Sequence, residues 1–154
     1  MNRKLVMGAV VAALAIVAAG CGGGGGGGGG ALSKEEYSSQ LNKICTELND
    51  KNKAIGDPQS IDEVVTKGPQ LQDAFQSAID EVENLNPPDE LKDAHERFVS
   101  LGKQIHSKID DLIAAAKKKD LAKAQQIGAT IDPLNTESNE IARTKLGAPA
   151  CDQG

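Results

Sequence analysis

From residue 31 onward the apolar residues recur at intervals of three and four, the period of a helix with one face turned inward. Tyr37, Leu41, Ile44 and Leu48 form the first stripe, with Cys45 on its border. Ser33-Lys34-Glu35-Glu36 precedes it and fits a capping box, in which Ser33 caps the helix and Glu36 reaches back to it. Leu32 and Tyr37 occupy the staple positions around that cap, and Gly56-Asp57-Pro58 stops the helix. Ser60-Ile61-Asp62-Glu63 repeats the start signal, and Val64, Leu71, Phe75, Ile79, Val82 and Leu85 continue an apolar face. Gly68-Pro69 interrupts that face: either a short helix ends at Lys67, or one helix runs to Leu85 with a kink. The apolar phase survives across the proline, which favours the kink.

Asn86-Pro87-Pro88 is the sharpest break, and Asp89 and Glu90 after it suit the positive end of a helix dipole. Leu91, Ala94, Phe98, Leu101, Ile105, Ile109, Leu112 and Ala116 then make a long heptad-like seam that ends in Lys117-Lys118-Lys119. Those lysines suit the negative end of the dipole, which explains them without an anionic lipid partner. Asp120 caps a fourth helix whose inward positions are Leu121, Ala124, Ile127 or Gly128, Ile131, Leu134, Ser138 and Ile141. Asp132-Pro133 is expected to kink it, and Gly147 and Pro149 to end it before Cys151. No β-branched alternation appears. Short connections between long helices place neighbours antiparallel, so residues 31–154 are predicted to form an all-α, up-down-up-down four-helix bundle. The end of the fourth helix then lies near the start of the first.

Two different stretches precede this body. Asn2-Arg3-Lys4, an apolar run from Leu5 to Ala19 and small residues before Cys21 read as a secretory signal peptide over residues 1–20. Ala18-Ala19-Gly20-Cys21 resembles the lipobox of bacterial lipoproteins, with Ala18 where that family usually has a branched residue. The resemblance implies cleavage before Cys21, acylation of its thiol and a membrane anchor on the extracytoplasmic face. The alternatives are an ordinary signal peptide cut nearby or an uncleaved anchor helix. Against the latter, Leu5 to Ala19 is shorter than the roughly 20 apolar residues that span a bilayer. Residues 21–30 comprise Cys21 and the glycine run from Gly22 to Gly30, a coil with a root-mean-square span of roughly 15–18 Å. A phosphate-cradling loop needs a strand before it and Lys with Ser or Thr after it, and neither is here. The run is a tether.

The chain carries 22 acidic against 17 basic residues, and Arg3 and Lys4 leave with the signal peptide, so the mature protein is more acidic still. That balance argues against a nucleic-acid partner, and it holds the body off an anionic membrane. With one Tyr, two Phe and no Trp, the core is aliphatic and a stacked sugar- or peptide-binding surface is disfavoured. Cys45 and Cys151 remain as an even pair in an exported chain, where disulfides persist. A reactive thiol pair normally has the close C-x-x-C spacing that these two lack. The reading is a structural bridge joining the first helix to the C-terminus.

Candidate chemistry is sparse. No H-E-x-x-H, G-x-S-x-G, phosphate-loop or C-x-x-C-H pattern occurs, so no catalytic residue and no cofactor is expected. His95 and His106 stand three turns apart on the third helix, about 16 Å along its axis, too far for one metal. His106 and Asp110 form half a metal site that needs ligands from another helix, where Glu137 and Glu140 are available. The plainer expectation has both histidines beside the seam with ordinary partners. Asp62, Glu63, Asp80, Glu81, Glu83, Asp110 and Asp111 interleave with Lys and Gln as a solvated surface.

Ile44-Cys45, the Asn86 to Leu91 stretch, Leu146-Gly147 and Cys151 together resemble a group of lipoproteins of high-GC Gram-positive type, with small all-helical two-cysteine domains. The resemblance implies a fold and a location and carries no activity. The expected function is therefore a non-enzymatic, membrane-anchored surface lipoprotein with a structural or protein-interaction role in the cell envelope. The alternative is an extracytoplasmic module that binds a small ligand or a metal.

Overall fold

Ser33, Ser60 and Asp120 each start a helix by accepting a hydrogen bond from a main-chain amide three residues on, at 3.2, 3.2 and 3.0 Å. A computed structural model describes residues 30–152, and the signal peptide, Cys21 and the tether up to Gly29 lie outside the described residues. The helices are α1 (Lys34–Ile55), α2 (Ile61–Glu83), α3 (Lys92–Lys117) and α4 (Leu121–Thr144). Each packs on the next, giving the four-helix bundle, with no strand among the described residues. No helix among them is long and apolar enough to cross a membrane.

The Ser33 cap is a full capping box, because Glu36 Oε2 accepts from the Ser33 amide at 2.9 Å. That bond holds the Glu36 carboxyl below its ordinary pKa. At the second helix the reciprocal bond shifts by one residue, and Glu63 accepts from the Gln59 amide at 3.0 Å. Beyond Pro88 a 3-10 turn over Asp89–Leu91 precedes α3, so Asp89 and Glu90 lie in that turn and the α-helix begins at Lys92.

Neither internal proline breaks its helix. Pro69 lies inside an unbroken α2 that ends at Glu83, and Pro133 lies inside an unbroken α4. Each ring costs one amide donor, which the neighbouring packing has to offset. Gly68 is buried for a reason that chain punctuation does not reveal. A Cβ there would stand 2.9 Å from Ile113 Cγ1, so the glycine lets α3 press onto α2.

The fourth helix departs from its expected inward face at its first residue. Leu121 is 59 % exposed, while Ala124, Ile127, Ser138 and Ala142 are buried. Leu121 is the first residue of α4, and the turn from Lys118 to Asp120 carries it clear of α3. In that turn Lys119 has φ 56°, the left-handed region that suits glycine. Replacing Lys119 with glycine is expected to stabilise the fold by about 1 kcal/mol, since only an exposed ion pair with Asp62 at 3.8 Å is lost. A urea midpoint that moves down instead would show that the strain is absent.

The C-terminus departs from a plain bundle. After Gly147, with φ 66°, the chain reverses and a 3-10 turn over Pro149–Asp152 runs back along α1. Ser38 Oγ donates to Leu146 O at 2.7 Å, Asn42 Oδ1 accepts from the Ala150 amide at 3.0 Å, and Asn49 Nδ2 donates to Ala150 O at 2.9 Å. A Cβ on Gly147 would meet Ser38 Oγ at 2.8 Å, so this position needs glycine for space as well as for its backbone angles. Cys45 and Cys151 lie at disulfide distance, with S–S 1.99 Å and Cα atoms 5.0 Å apart. The tail thus acts as a wedge, and the α1–α4 side of the bundle closes through it more than through helix on helix.

Two hydrophobic clusters result. One gathers Tyr37, Leu41, Ile44, Cys45, Val82, Leu91, Leu146 and Ala148 around the tail. The other joins Ala115, Ala124 and Ile127, with Ile61, Leu112 and Ile131 against them, and takes nothing from α1. Among the described residues these core positions fall between Leu32 and Cys151.

Candidate functional site

The tail lies between α1 and α4 near Cys151, and space is left beside it. A cleft of about 310 Å³ occupies that space, and all four helices contribute to its wall. Leu48, Leu71, Phe75, Ile105, Ile109 and Ile131 supply apolar surface; Asn49, Asn52, Asn135, Ser138 and Asn139 supply polar groups. The Cys45–Cys151 bridge forms its upper edge. A smaller void of about 60 Å³ continues it toward Ile79 and Gly102, sharing Leu48, Phe75, Phe98 and Ser138. Leu48, Leu71, Phe75 and Ile131 carry the expected apolar pattern yet are only half-buried, since each faces this gap.

Among the described residues that line the cleft, Asp57 is the single ionisable one, and it stands exposed. No histidine, lysine or free thiol lines it beside Ser138 to activate a hydroxyl. Asn52 carries a buried side-chain oxygen, Oδ1, that accepts no hydrogen bond. Such a group is rare in a native interior.

The histidines lie elsewhere and do not come together. His95 is buried at the start of α3, where its Nδ1 and Tyr37 Oη are hydrogen-bonded at 2.9 Å, the tautomer of the ring deciding which donates. The two rings meet edge to face at 5.8 Å. Burial pushes the Tyr37 hydroxyl up to about 12 and the His95 imidazole down, while Glu96 and Glu83 pull the imidazole part of the way back. His106 is one helical turn from Asp110, with Nδ1 3.7 Å from Oδ2. Gln72 Nε2 also donates to Asp110. Glu137 is held instead by Arg97, whose Nε and Nη2 donate to its two oxygens at 2.7 and 2.8 Å. That fork holds the Glu137 carboxyl low and ties α3 to α4. Among the described residues no three His, Cys, Asp or Glu side chains converge as a metal would require.

The lowered His95 pKa has a consequence for stability. The unfolded chain binds a proton to this ring at a higher pH than the folded chain does. The contribution is therefore intact above the unfolded value near 6.5 and is lost as pH falls from there through the folded value. Melting temperature is expected to drop between about pH 7 and pH 5, and His95→Gln should flatten that part of the profile. An unchanged slope in the variant would assign the drop to other groups.

The carboxylates are spent on the surface. Glu63 pairs with Lys67 at 3.0 Å, Glu83 with Lys103 at 2.6 Å and Asp111 with Lys108 at 3.9 Å. Asp80 accepts from Gln76 at 2.6 Å. Glu83 and Glu96 line one open surface pocket with His95, and Glu47 and Glu81 line another. The sequence offered no sign of the α1–α4 cleft, because its lining residues keep an ordinary core pattern. Comparison of the chain with protein-family models, with curated proteins and with solved structures finds no match.

Proposed function

We propose that the chain is a lipid-anchored module on the extracytoplasmic face of a cell membrane that binds a small molecule between its helices and catalyses no reaction. The cleft of about 310 Å³, bounded by all four helices, carries this reading. A docking role on the outer surface has less support. Among the described residues Leu121 is the large apolar side chain left exposed, and a stable protein interface needs a contiguous apolar centre. The wall of the cleft also lacks a base placed to activate a nucleophile, which favours binding over catalysis.

Anchoring at Cys21 follows from the lipobox resemblance, and the glycine tether suits a body that works just off the membrane. Acyl chains of the lipoprotein type add about 0.8 kcal/mol per buried methylene, so two or three hold the protein firmly. The mass of the native N-terminal peptide tests this part, and a mature product free of fatty acid would remove it. Thermal melting of the body with toluene tests the other part. A compound that enters the native cleft raises the melting temperature in proportion to the logarithm of its concentration. A flat response would count against the cleft as a binding site.

A further inference from the structure

Ser138 stands on α4 where the cleft of about 310 Å³ meets the void of about 60 Å³, and it lines both. The residue is only 8 % exposed. Thr130, Thr136 and Thr144, the other hydroxyl residues of α4, each donate to a main-chain carbonyl three or four residues back. Among the described residues the Ser138 hydroxyl has no such partner, and unlike the sealed Asn52 Oδ1 its oxygen keeps accessible surface. That surface opens onto the two spaces that Ser138 lines. A buried hydroxyl whose proton is uncommitted is costly, and an acceptor within the cleft removes the cost. We infer that the cleft takes an uncharged molecule whose apolar body is interrupted by a carbonyl, the carbonyl oxygen accepting from Ser138 Oγ. This inference rests on the cleft being a binding site.

The chemistry of the wall selects the acceptor. No cationic side chain lines the cleft, so a carboxylate would enter without a counter-charge and with Asp57 on the same wall. An ammonium offers no acceptor to the Ser138 proton and loses its hydration on entering an apolar space. A carbonyl oxygen accepts without a charge and without a proton of its own that needs a partner. Asn135 and Asn139 line the cleft from the same helix, but one is exposed and the other half-buried, so water reaches both. Position settles where the carbonyl lies in the molecule. Leu71, Phe75 and Ile105 surround the space on one side of Ser138, and Ile79 and Val82 the void on the other. At roughly 30 Å³ for each heavy atom, the cleft holds about ten of them and the void about two. A carbonyl with apolar groups on both sides, as in a ketone or an ester, fills both spaces at once.

The test uses the chain from Cys21 onward, carrying Cys21→Ser so that no acyl group is present. Propiophenone, propylbenzene and 3-phenylpropanoate are titrated into it separately. The first has a ring on one side of its carbonyl and an ethyl group on the other; the second lacks the oxygen, and the third is the charged analogue. Binding is read by calorimetry, and the carbonyl stretch of bound propiophenone by infrared difference spectroscopy. Propiophenone is expected to bind about tenfold more tightly than 3-phenylpropanoate, with its carbonyl band below the position it has in hydrocarbon solvent. Ser138→Ala is expected to weaken propiophenone about tenfold, to leave propylbenzene unchanged and to return the band to its hydrocarbon position. Equal losses for the ketone and the hydrocarbon, or 3-phenylpropanoate bound as tightly as the ketone, overturn the ligand class, while propylbenzene binding leaves the cleft reading standing. If neither propiophenone nor propylbenzene binds, the cleft reading falls and the inference falls with it. The band is also read with Ser138 in place, so a bound carbonyl at its hydrocarbon position overturns the inference even where the variant does not fold.

Discussion

Replacing Cys45 and Cys151 with serine is expected to lower the unfolding free energy by about 4–5 kcal/mol. The bridge closes a loop with a sequence separation of 106, which removes a large part of the entropy of the unfolded chain. A single domain has only about 5–15 kcal/mol in total, so the loss is a third or more of what holds this one. In melting temperature it corresponds to a fall on the order of 15–25 °C for a body of this size. The hydrogen bonds from Ser38, Asn42 and Asn49 remain, so the tail is expected to stay docked in the native variant. Urea unfolding of the double variant against the oxidised parent measures the effect. A difference under about 1 kcal/mol would mean that the denatured chain is already compact without the crosslink.

The second large effect separates filled from unfilled interior. Leu101 is fully buried in the middle of α3, and Leu101→Ala is expected to cost about 3–5 kcal/mol through lost transfer energy and a new cavity. Leu71 has the same chemistry and lies on the apolar face of α2, yet it lines the cleft. Leu71→Ala removes fewer contacts and enlarges a space that exists already, so about 1 kcal/mol is expected. Equal losses at the two sites, measured by urea unfolding, would show that the helices close over the cleft in solution.

The two leucines also mark how far the sequence can be read. Features that depend on near neighbours were legible. The caps at Ser33, Ser60 and Asp120 involve residues three apart, and the apolar stripes repeat within single helices. The pairing of Cys45 with Cys151 was legible for a different reason, since reading Cys21 as the site of acylation leaves two cysteines and one way to pair them. What was hidden depends on contacts between distant segments. Tyr37 and His95 are 58 residues apart, and nothing in the pattern of either helix announces their hydrogen bond. Gly68 looked like an interruption because the side chain that fills its missing Cβ, Ile113, belongs to another helix.

Leu121 shows the limit of periodicity, which gives a helix its apolar face but does not say where the helix becomes free of its neighbour. The cleft is the strongest case. Leu48, Leu71, Phe75 and Ile131 sit at core positions in the sequence, and only the packing of the four helices shows them facing space. The histidines lie apart from the cleft. His95, His106 and Asp110 share one helix, and their partners are Tyr37 on α1, Asp110 and Gln72 on α2 respectively; among the described residues no second helix adds a His, Cys, Asp or Glu to make a group of three.

The crosslink at Cys45 also divides α1 into unequal halves. Before it, Tyr37, Leu41 and Ile44 are sunk in the tail cluster; after it, Leu48 to Ile55 lie over the gap and join neither cluster. Amides of the first half should exchange their hydrogens for deuterium only when the whole molecule unfolds, and those beyond Leu48 should exchange through fraying of the last turns. A guest molecule would then enter as these turns breathe, and its presence should slow their exchange while leaving the first half unchanged.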